Sequence, residues 1–457
     1  MSPPRTHSKS SVPRLQLSSK PQYVTLSIKE NPFTVFRKIE QEYDKCFLFE
    51  SLGDYSHLAR YSIIGFGPVQ TIRARGSRVT VGRRSYQRRN PYQALKDLMP
   101  REAITRDYAG GLVGYLGYDA ANYFEPSLNL RTRSDFDQYV FGAYTDGLVF
   151  DKLTGELNYF YYDQSRLDEV TRILKTRLRK PKVRIKSHGD NTTKTEHAGM
   201  VEAAKEHIRA GDTFQCQIGL QREYSITGDP IAIYERLRSV NPSPFMFYQK
   251  FGEQLLIGAS PELLFELRGR LMETYPLAGT IHRGKTERED RALAKRLLSD
   301  PKEIAEHNML VDLHRNDLGR VADSGTVNVH SLMDIKKFSH VQHISSEIIG
   351  QIRRDEDMFS AVAANFPAGT LSGAPKIESM KIIDSLEQAP RGPYGGGVGT
   401  FGFNGNGTFA IPIRTLFISG SHAFTAAAGG VVYDSTPEDE YQEIRNKLAA
   451  MEKALGA

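Results

Sequence analysis

Two acidic segments carry the first chemical signal. In "SDPKEIAEHNMLVDLHRNDLG" (299–319), Asp300 is placed to cap a helix, with Pro301 at its first position and Glu303 at its third. That is a capping-box arrangement, which makes Glu303 structural. At 100° per residue, Glu306 falls in the middle of the face formed by Met309, Leu310 and Leu313. An unpaired carboxylate there would cost several kcal/mol, so something must compensate it. In "STPEDEYQEIRNKLAAMEKAL" (435–455), Thr436 caps, Pro437 enters, and Tyr441, Ile444, Leu448, Met451 and Leu455 make a buried stripe. Glu440, Glu443 and Lys447 form a row on its flank. Two readings stand. The row is a solvated helix edge with an i, i+4 Glu–Lys pair, or Glu306 and Glu443 share one hard cation such as magnesium, which takes a few carboxylates and keeps waters for a substrate oxygen.

Other residues have the right chemistry in unusual settings. In "KKFSHVQHISSE", His340, His343 and Glu347 have zinc-like spacing only on a helix, which the β-branched residues and serines oppose. A single histidine as proton carrier fits, and so does one satisfied within the core. Arg414 interrupts the strand-like run "FAIPIRTLFIS", and its fork asks for a carboxylate, from a substrate or from a structural ion pair. "FPAGTLSGAPK" (366–376) and "GGGVGTF" (395–401) oppose helix and suit tight turns or close backbone approach. Gly397, Gly399 and Gly402 satisfy G-x-G-x-x-G, but "FNGNGTFAIPIRT" follows, a turn and a strand, where a dinucleotide site needs a helix. "GTLSGAPK" lacks the spacing of a Walker loop.

The elements that must position these groups fall into two halves. From Tyr23 to Lys180, a helix "NPFTVFRKIEQEY" is followed by strand-like runs "CFLFES", "RYSIIGFG" and "GGLVGYLGYD", then a hairpin turning at Thr154-Gly155, then a helix "RLDEVTRILKTRLRK". "SHGDNTTKTE" reads as a polar linker. The chain divides into a disordered basic tail over 1–20, an N-terminal subdomain over 21–186 and a second over 195–457 that carries the chemistry. Long antiparallel strands with helices outside indicate an α+β fold. The 457 residues suffice for a large core, and the longest apolar run, "AFTAAAGGVV", is too short to span a bilayer. Two cysteines, Cys46 and Cys216, exclude a disulfide framework and point to a reducing cytoplasm. The net charge of +6 sits in peripheral runs without interleaved aromatics, which argues against nucleic-acid binding.

The ordered segments "NPSPFMFY", "GASPELLFEL", "YPLAGT", "AEHNMLVDLHRNDLG", "FSHVQH", "FPAGTLSGAPK", "RGPYGGGVGTFGF", "IRT" and "DSTPEDEYQEIRNK" resemble those of chorismate-utilising enzymes, specifically anthranilate synthase component I. "FLFESLGD" and "RYSIIGFGP" extend the resemblance into the first half. The resemblance implies a large antiparallel β-sandwich with helices packed outside, in two interlocked subdomains. It implies amination of chorismate with Mg2+ bound, then pyruvate elimination to anthranilate, the ammonia coming from a glutamine amidotransferase subunit. Residue by residue, it makes Glu306 and Glu443 the metal ligands with Glu440 close by, and Glu262 the acid that protonates the departing ring hydroxyl. His343 and Thr370 fall beside the ring; Arg414, the Gly430 amide, Tyr394, Lys447, Gly279 and Thr280 contact substrate. Gln215 and Ala278 stand where relatives with other nucleophiles carry lysine, which favours ammonia. Ser51, Pro244, Phe245 and Met246 match pieces of a feedback site for tryptophan, or simply pack the sandwich. Three departures, Gly219 for serine, Ala428 for glycine and Ile281 for arginine, leave an aminodeoxychorismate synthase component I as the alternative.

Overall fold

The computed structural model describes residues 12–52, 60–101, 105, 107–337 and 341–456. Local rules set the helices. Asn31 accepts from the Thr34 N–H and Pro32 occupies the first turn, so helix Pro32–Glu40 starts there and buries Phe33, Phe36 and Ile39. Asp300 caps helix Pro301–Gly319 through the Lys302 N–H, and Thr436 caps helix Pro437–Leu455 through the Asp439 N–H.

Two twelve-stranded sheets form the body, and every strand pair in them is antiparallel. Each sheet takes strands from both halves of the chain. In the first sheet the seam joins Lys45–Glu50 to Phe245–Phe251; in the second it joins Gly111–Leu116 to Gly397–Gly402. One core lies between them, with Tyr115, Phe141 and Leu116 from the first half against Phe265, Phe401, Phe409, Phe417 and Phe424 from the second. The halves are therefore interlocked through backbone ladders as well as side chains. Among the described residues no helix is long and apolar enough to cross a membrane.

Four sequence expectations change. The supposed linker begins inside strand Val183–Asp190, which pairs with Gln215–Gly228 at a sheet edge; its polar side chains misled because an edge strand is held by backbone bonds and needs little apolar surface. The helix before it stops at Leu174 rather than running to Lys180. Of the tail expected to be disordered, 1–11 lie outside the described residues, whereas Val12 is buried in the core and the Leu15 N–H donates to Leu98 O at 2.9 Å. The run "FAIPIRTLFIS" is two strands, Gly407–Ala410 in one sheet and Thr415–Ser419 in the other.

Candidate active site

Glu262 and Arg414 occupy neighbouring crossings between the sheets. Strand Gln254–Ser260 belongs to the first sheet and Leu263–Arg268 to the second, so Glu262 sits where the chain changes layer. Gly407–Ala410 and Thr415–Ser419 make the reverse crossing alongside, with Gly258 opposite Thr415 and Leu263 opposite Ala410. Two backbone bonds tie the crossings: Ile411 N–H to Glu262 O at 3.1 Å and Ala259 N–H to Arg414 O at 3.2 Å. Arg414 has a φ of 49°, a left-handed conformation that a non-glycine residue holds only where its surroundings enforce it.

Glu262 is 4 % exposed. Burial pushes its carboxyl up to about 7, against the Thr370 hydroxyl, which donates to its Oε1 at 2.8 Å, and against Arg414, the Leu277 N–H and Lys447. Thr370 is carried on the short turn Gly369–Leu371.

His343 comes from strand Val341–Gln351, paired with Leu277–His282. The register shifts between Ala278 and Thr280, and Gly279 takes up the bulge at φ 65°. Its carbonyl thereby reaches His343 Nδ1 at 3.0 Å, with Thr280 Oγ1 also at 3.0 Å. A carbonyl only accepts, so Nδ1 carries the proton and Nε2 the lone pair. Burial, then the charge of Arg414, lowers the imidazole to about 3, which keeps it neutral. Ala278 is buried on the same strand. Of the zinc-like triplet that would need a helix, His340 lies outside the described residues, and His343 and Glu347 are on a strand, as the β-branched residues and serines predict.

A set of acids gathers around Gln215, Gly429 and Gly279. Gln215 Nε2 donates to Glu306 Oε1 at 2.9 Å. Strand Gln215–Gly228 pairs with His422–Val431, setting Gln217 opposite Gly430. A Cβ at Gly430 would lie 2.6 Å from Gln215 Nε2, and one at Gly429 would lie 2.5 Å from Glu440 Oε2, so glycine is what lets these groups close in. Glu440 is 5 % exposed; Ser435 Oγ donates to its Oε1 at 2.7 Å. Burial raises it to about 7, with the Glu443 charge adding to the shift. Lys447 Nζ donates to Ala428 O at 2.7 Å and pairs with Glu443 at 2.6 Å. Tyr394 is buried, with its phenol held neutral chiefly by that burial.

Glu303 was missed. Instead of closing a capping box it turns to the acids: its Oε2 lies 2.9 Å from where a Gly279 Cβ would be, and burial, Glu306 and Glu443 raise its carboxyl. Its i, i+3 spacing from Glu306 was the available signal. The buried face of this helix is also rotated from expectation, to His307, Leu310, Val311, His314, Asp317 and Leu318, leaving Glu306 half-buried at its edge. His307 bonds Ser346, His314 bonds Thr274 and Asp317 pairs with Lys376, so polar residues sit in an interior that apolar periodicity alone would not assign them.

The carboxylate set suits a hard divalent cation. Glu440 Oε2 is buried without a hydrogen-bond partner among the described residues, as a cation ligand would be; the charge of Glu443 reaches both Glu440 and Glu303, and that of Glu306 reaches Glu303. Among the described residues no three such groups already converge on one point. Glu443 closes on Lys447 and Glu306 on Gln215, so a cation would have to draw both away from these partners.

The other proposed cluster also assembles. Leu52 N–H donates to Ser243 O at 2.9 Å, and Met246 pairs with Glu50, bringing Ser51 beside Pro244, Phe245 and Met246. The Ser51 hydroxyl is buried with no partner among the described residues.

A buried acid with a raised carboxyl, a neutral histidine and nearby cations meet at a crossing of the double sheet, and the family model for chorismate binding enzymes matches residues 26–453. A relative from Leptospira biflexa, anthranilate synthase component 1, is 51 % identical over 452 residues, covering 97 % of this chain and 98 % of its own. One of the same name from Methanothermobacter thermautotrophicus is 44 % identical, covering 93 % and 92 %. The crystal structure of anthranilate synthase component I from Streptococcus pneumoniae superposes with a TM-score of 0.78 at 32 % identity, over 86 % of this chain and 92 % of that one. The chain belongs to the anthranilate synthase component I family of chorismate-utilising enzymes.

Proposed function

We propose that this protein aminates chorismate with ammonia and eliminates pyruvate to give anthranilate for tryptophan biosynthesis, with Mg2+ as cofactor and a glutamine amidotransferase subunit as the ammonia source. The observation that carries the reading is Glu262, a carboxyl raised to about 7, hydrogen-bonded by Thr370 and within the electrostatic reach of Arg414 and Lys447. Chorismate carries two carboxylates. Arg414 and the Gly430 amide would take the enolpyruvyl carboxylate, with Tyr394 beside it. Bound there, the anion offsets Arg414, so Glu262 stays protonated and can deliver its proton to the departing ring hydroxyl. The same offset raises the basicity of His343 Nε2, which suits it to take the ring proton in the elimination, with Thr280 and Gly279 fixing the imidazole.

Glu306 and Glu443 would hold Mg2+, with Glu440 and Glu303 behind them; when bound, the ion supplies the positive charge that the ring carboxylate needs. Gln215 and Ala278 offer no amine to attack the ring, which supports external ammonia as the nucleophile. Two of the departures that left an aminodeoxychorismate synthase as the alternative face each other: Gly219 pairs with Ala428, and a Cβ at 219 would lie 2.9 Å from the Ala428 Cβ. They read as one compensated exchange, which supports the anthranilate assignment. Ser51, Pro244, Phe245 and Met246 would form the tryptophan feedback site, and a reducing cytoplasm suits the two buried free thiols.

Incubation with chorismate, Mg2+ and ammonium, followed by anthranilate fluorescence and pyruvate release, tests the reading. Equal amounts of both are expected. A product that yields p-aminobenzoate only after a lyase is added would replace anthranilate by aminodeoxychorismate, and untouched chorismate would overturn the activity.

A further inference from the structure

We propose that Arg391 is a positioning residue, whose buried fork fixes the three segments that carry Thr370, Tyr394 and the Gln217–Gly430 rung. The proposal rests on the chorismate-amination reading. The Arg391 side chain is 3 % exposed and pairs with Glu387, itself 8 % exposed. Nε donates to Glu387 Oε2 at 2.9 Å and Nη2 to Oε1 at 2.7 Å. The remaining donors leave the pair. Nη1 bonds Leu371 O at 2.5 Å, next to Thr370, and Nη2 bonds Gln217 O at 2.8 Å, on the residue opposite Gly430. The guanidinium carbon lies 5.6 Å from the ring centroid of Tyr394 and 4.7 Å from that of Tyr118. Glu387 Oε1 in turn accepts from the Gly219 N–H at 2.9 Å, which closes the network on the same strand pair.

A buried ion pair adds little net stability compared with apolar residues of the same size. What this one adds is registry. Glu262 draws its hydrogen bond from Thr370, and Thr370 sits on a three-residue turn whose carbonyl at Leu371 is held by Arg391. Lysine keeps the charge but has no planar fork, so it cannot serve Glu387, Leu371 and Gln217 together.

Two variants test this, Arg391→Lys and the charge-neutral Arg391→Met/Glu387→Gln, in which the new side-chain amide keeps an acceptor oxygen for the Gly219 N–H. Both are measured beside the wild type: its own failure to make anthranilate would sink the functional reading and this proposal with it, whereas an active wild type beside unaffected variants would sink this proposal alone. Both variants are expected to fold and to lose about 100-fold in kcat/KM, the scale of a misplaced catalytic constellation. The high-pH limb, set by Glu262 among Thr370, Arg414, Lys447 and the Leu277 amide, should move to higher pH, because the Thr370 bond that favours the carboxylate is lost. On a Thr370→Val background the Arg391 change should shift the limb no further. Folded variants with kcat/KM within twofold of wild type and an unmoved limb would overturn the proposal. So would failure of both to fold, which would assign the pair to stability alone.

Discussion

Glu262→Gln should make the protein more stable and inactive, and the gain should depend on pH in a way that only a raised carboxyl produces. The folded-state value is about 7 against an ordinary 4.5. Below 4.5 the group is protonated in both states and contributes nothing. Between 4.5 and 7 the unfolded chain releases a proton that the folded chain keeps, so wild-type stability falls as pH rises and levels off above 7. The net shift already includes the attraction of Arg414 and Lys447, so the whole of it converts, to ~3 kcal/mol at 1.36 kcal/mol per unit. Glutamine has nearly the same shape and no charge, and the Thr370 hydroxyl can rotate to accept from its amide. The difference in unfolding free energy, variant minus wild type, should therefore climb from near zero at pH 4.5 to ~3 kcal/mol at pH 8, about 3 °C in Tm for a chain of this length. Asp119, also buried and raised to about 7, and Glu440 titrate in both proteins and cancel in the difference. Thermal unfolding across pH 4.5–8, with anthranilate formation on the same samples, is the assay. A pH-independent difference, or a variant less stable than wild type at pH 8, would refute the claim that burial governs this group.

Glu306→Gln and Glu443→Gln should each raise the Mg2+ concentration for half-maximal turnover by at least about tenfold, since each removes one of few charged ligands; calorimetric titration of Mg2+ should weaken in parallel, and unchanged titration would count against the assigned ligands. Gly219→Ala should destabilise by about 1–3 kcal/mol, because the new Cβ lies 2.5 Å from Ala427 O and 2.9 Å from the Ala428 Cβ. Adding Ala428→Gly should recover part of that loss in urea unfolding, and strict additivity would deny that the two positions are coupled. L-Tryptophan should inhibit turnover and raise Tm by binding near Ser51 and Met246; neither effect at saturation would leave that cluster as packing.

How much of this was open to sequence reasoning depends on whether a feature is local. The caps at Asp300 and Thr436 and the hairpin turn at Gly155, φ 75°, follow from a few neighbouring residues, and the structure has them where the sequence puts them. So does the dismissal of the dinucleotide motif, since Gly397–Gly402 is a strand answered by Gly407–Ala410. Glu303 went astray because a capping role explained it locally, while its neighbour Gly279 is 24 positions away and exposes it only through a bulge.

Arg414 shows the deeper reason. An apolar run that changes sheets has the composition of one long strand, so nothing in "FAIPIRTLFIS" marks where it bends. The bend becomes necessary only because Gly258 pairs with Thr415 and Leu263 with Ala410, two rungs more than 140 residues apart that belong to different layers. A chain crossing between layers leaves the ladder for a few residues, and its side chains there are free of the in–out alternation that strands impose. Glu262 and Arg414 both occupy such positions, which is why an acid and a cation can come within electrostatic reach of each other inside a mostly apolar double sheet. The same break in alternation that hides the corner from periodicity is what allows the corner to carry chemistry.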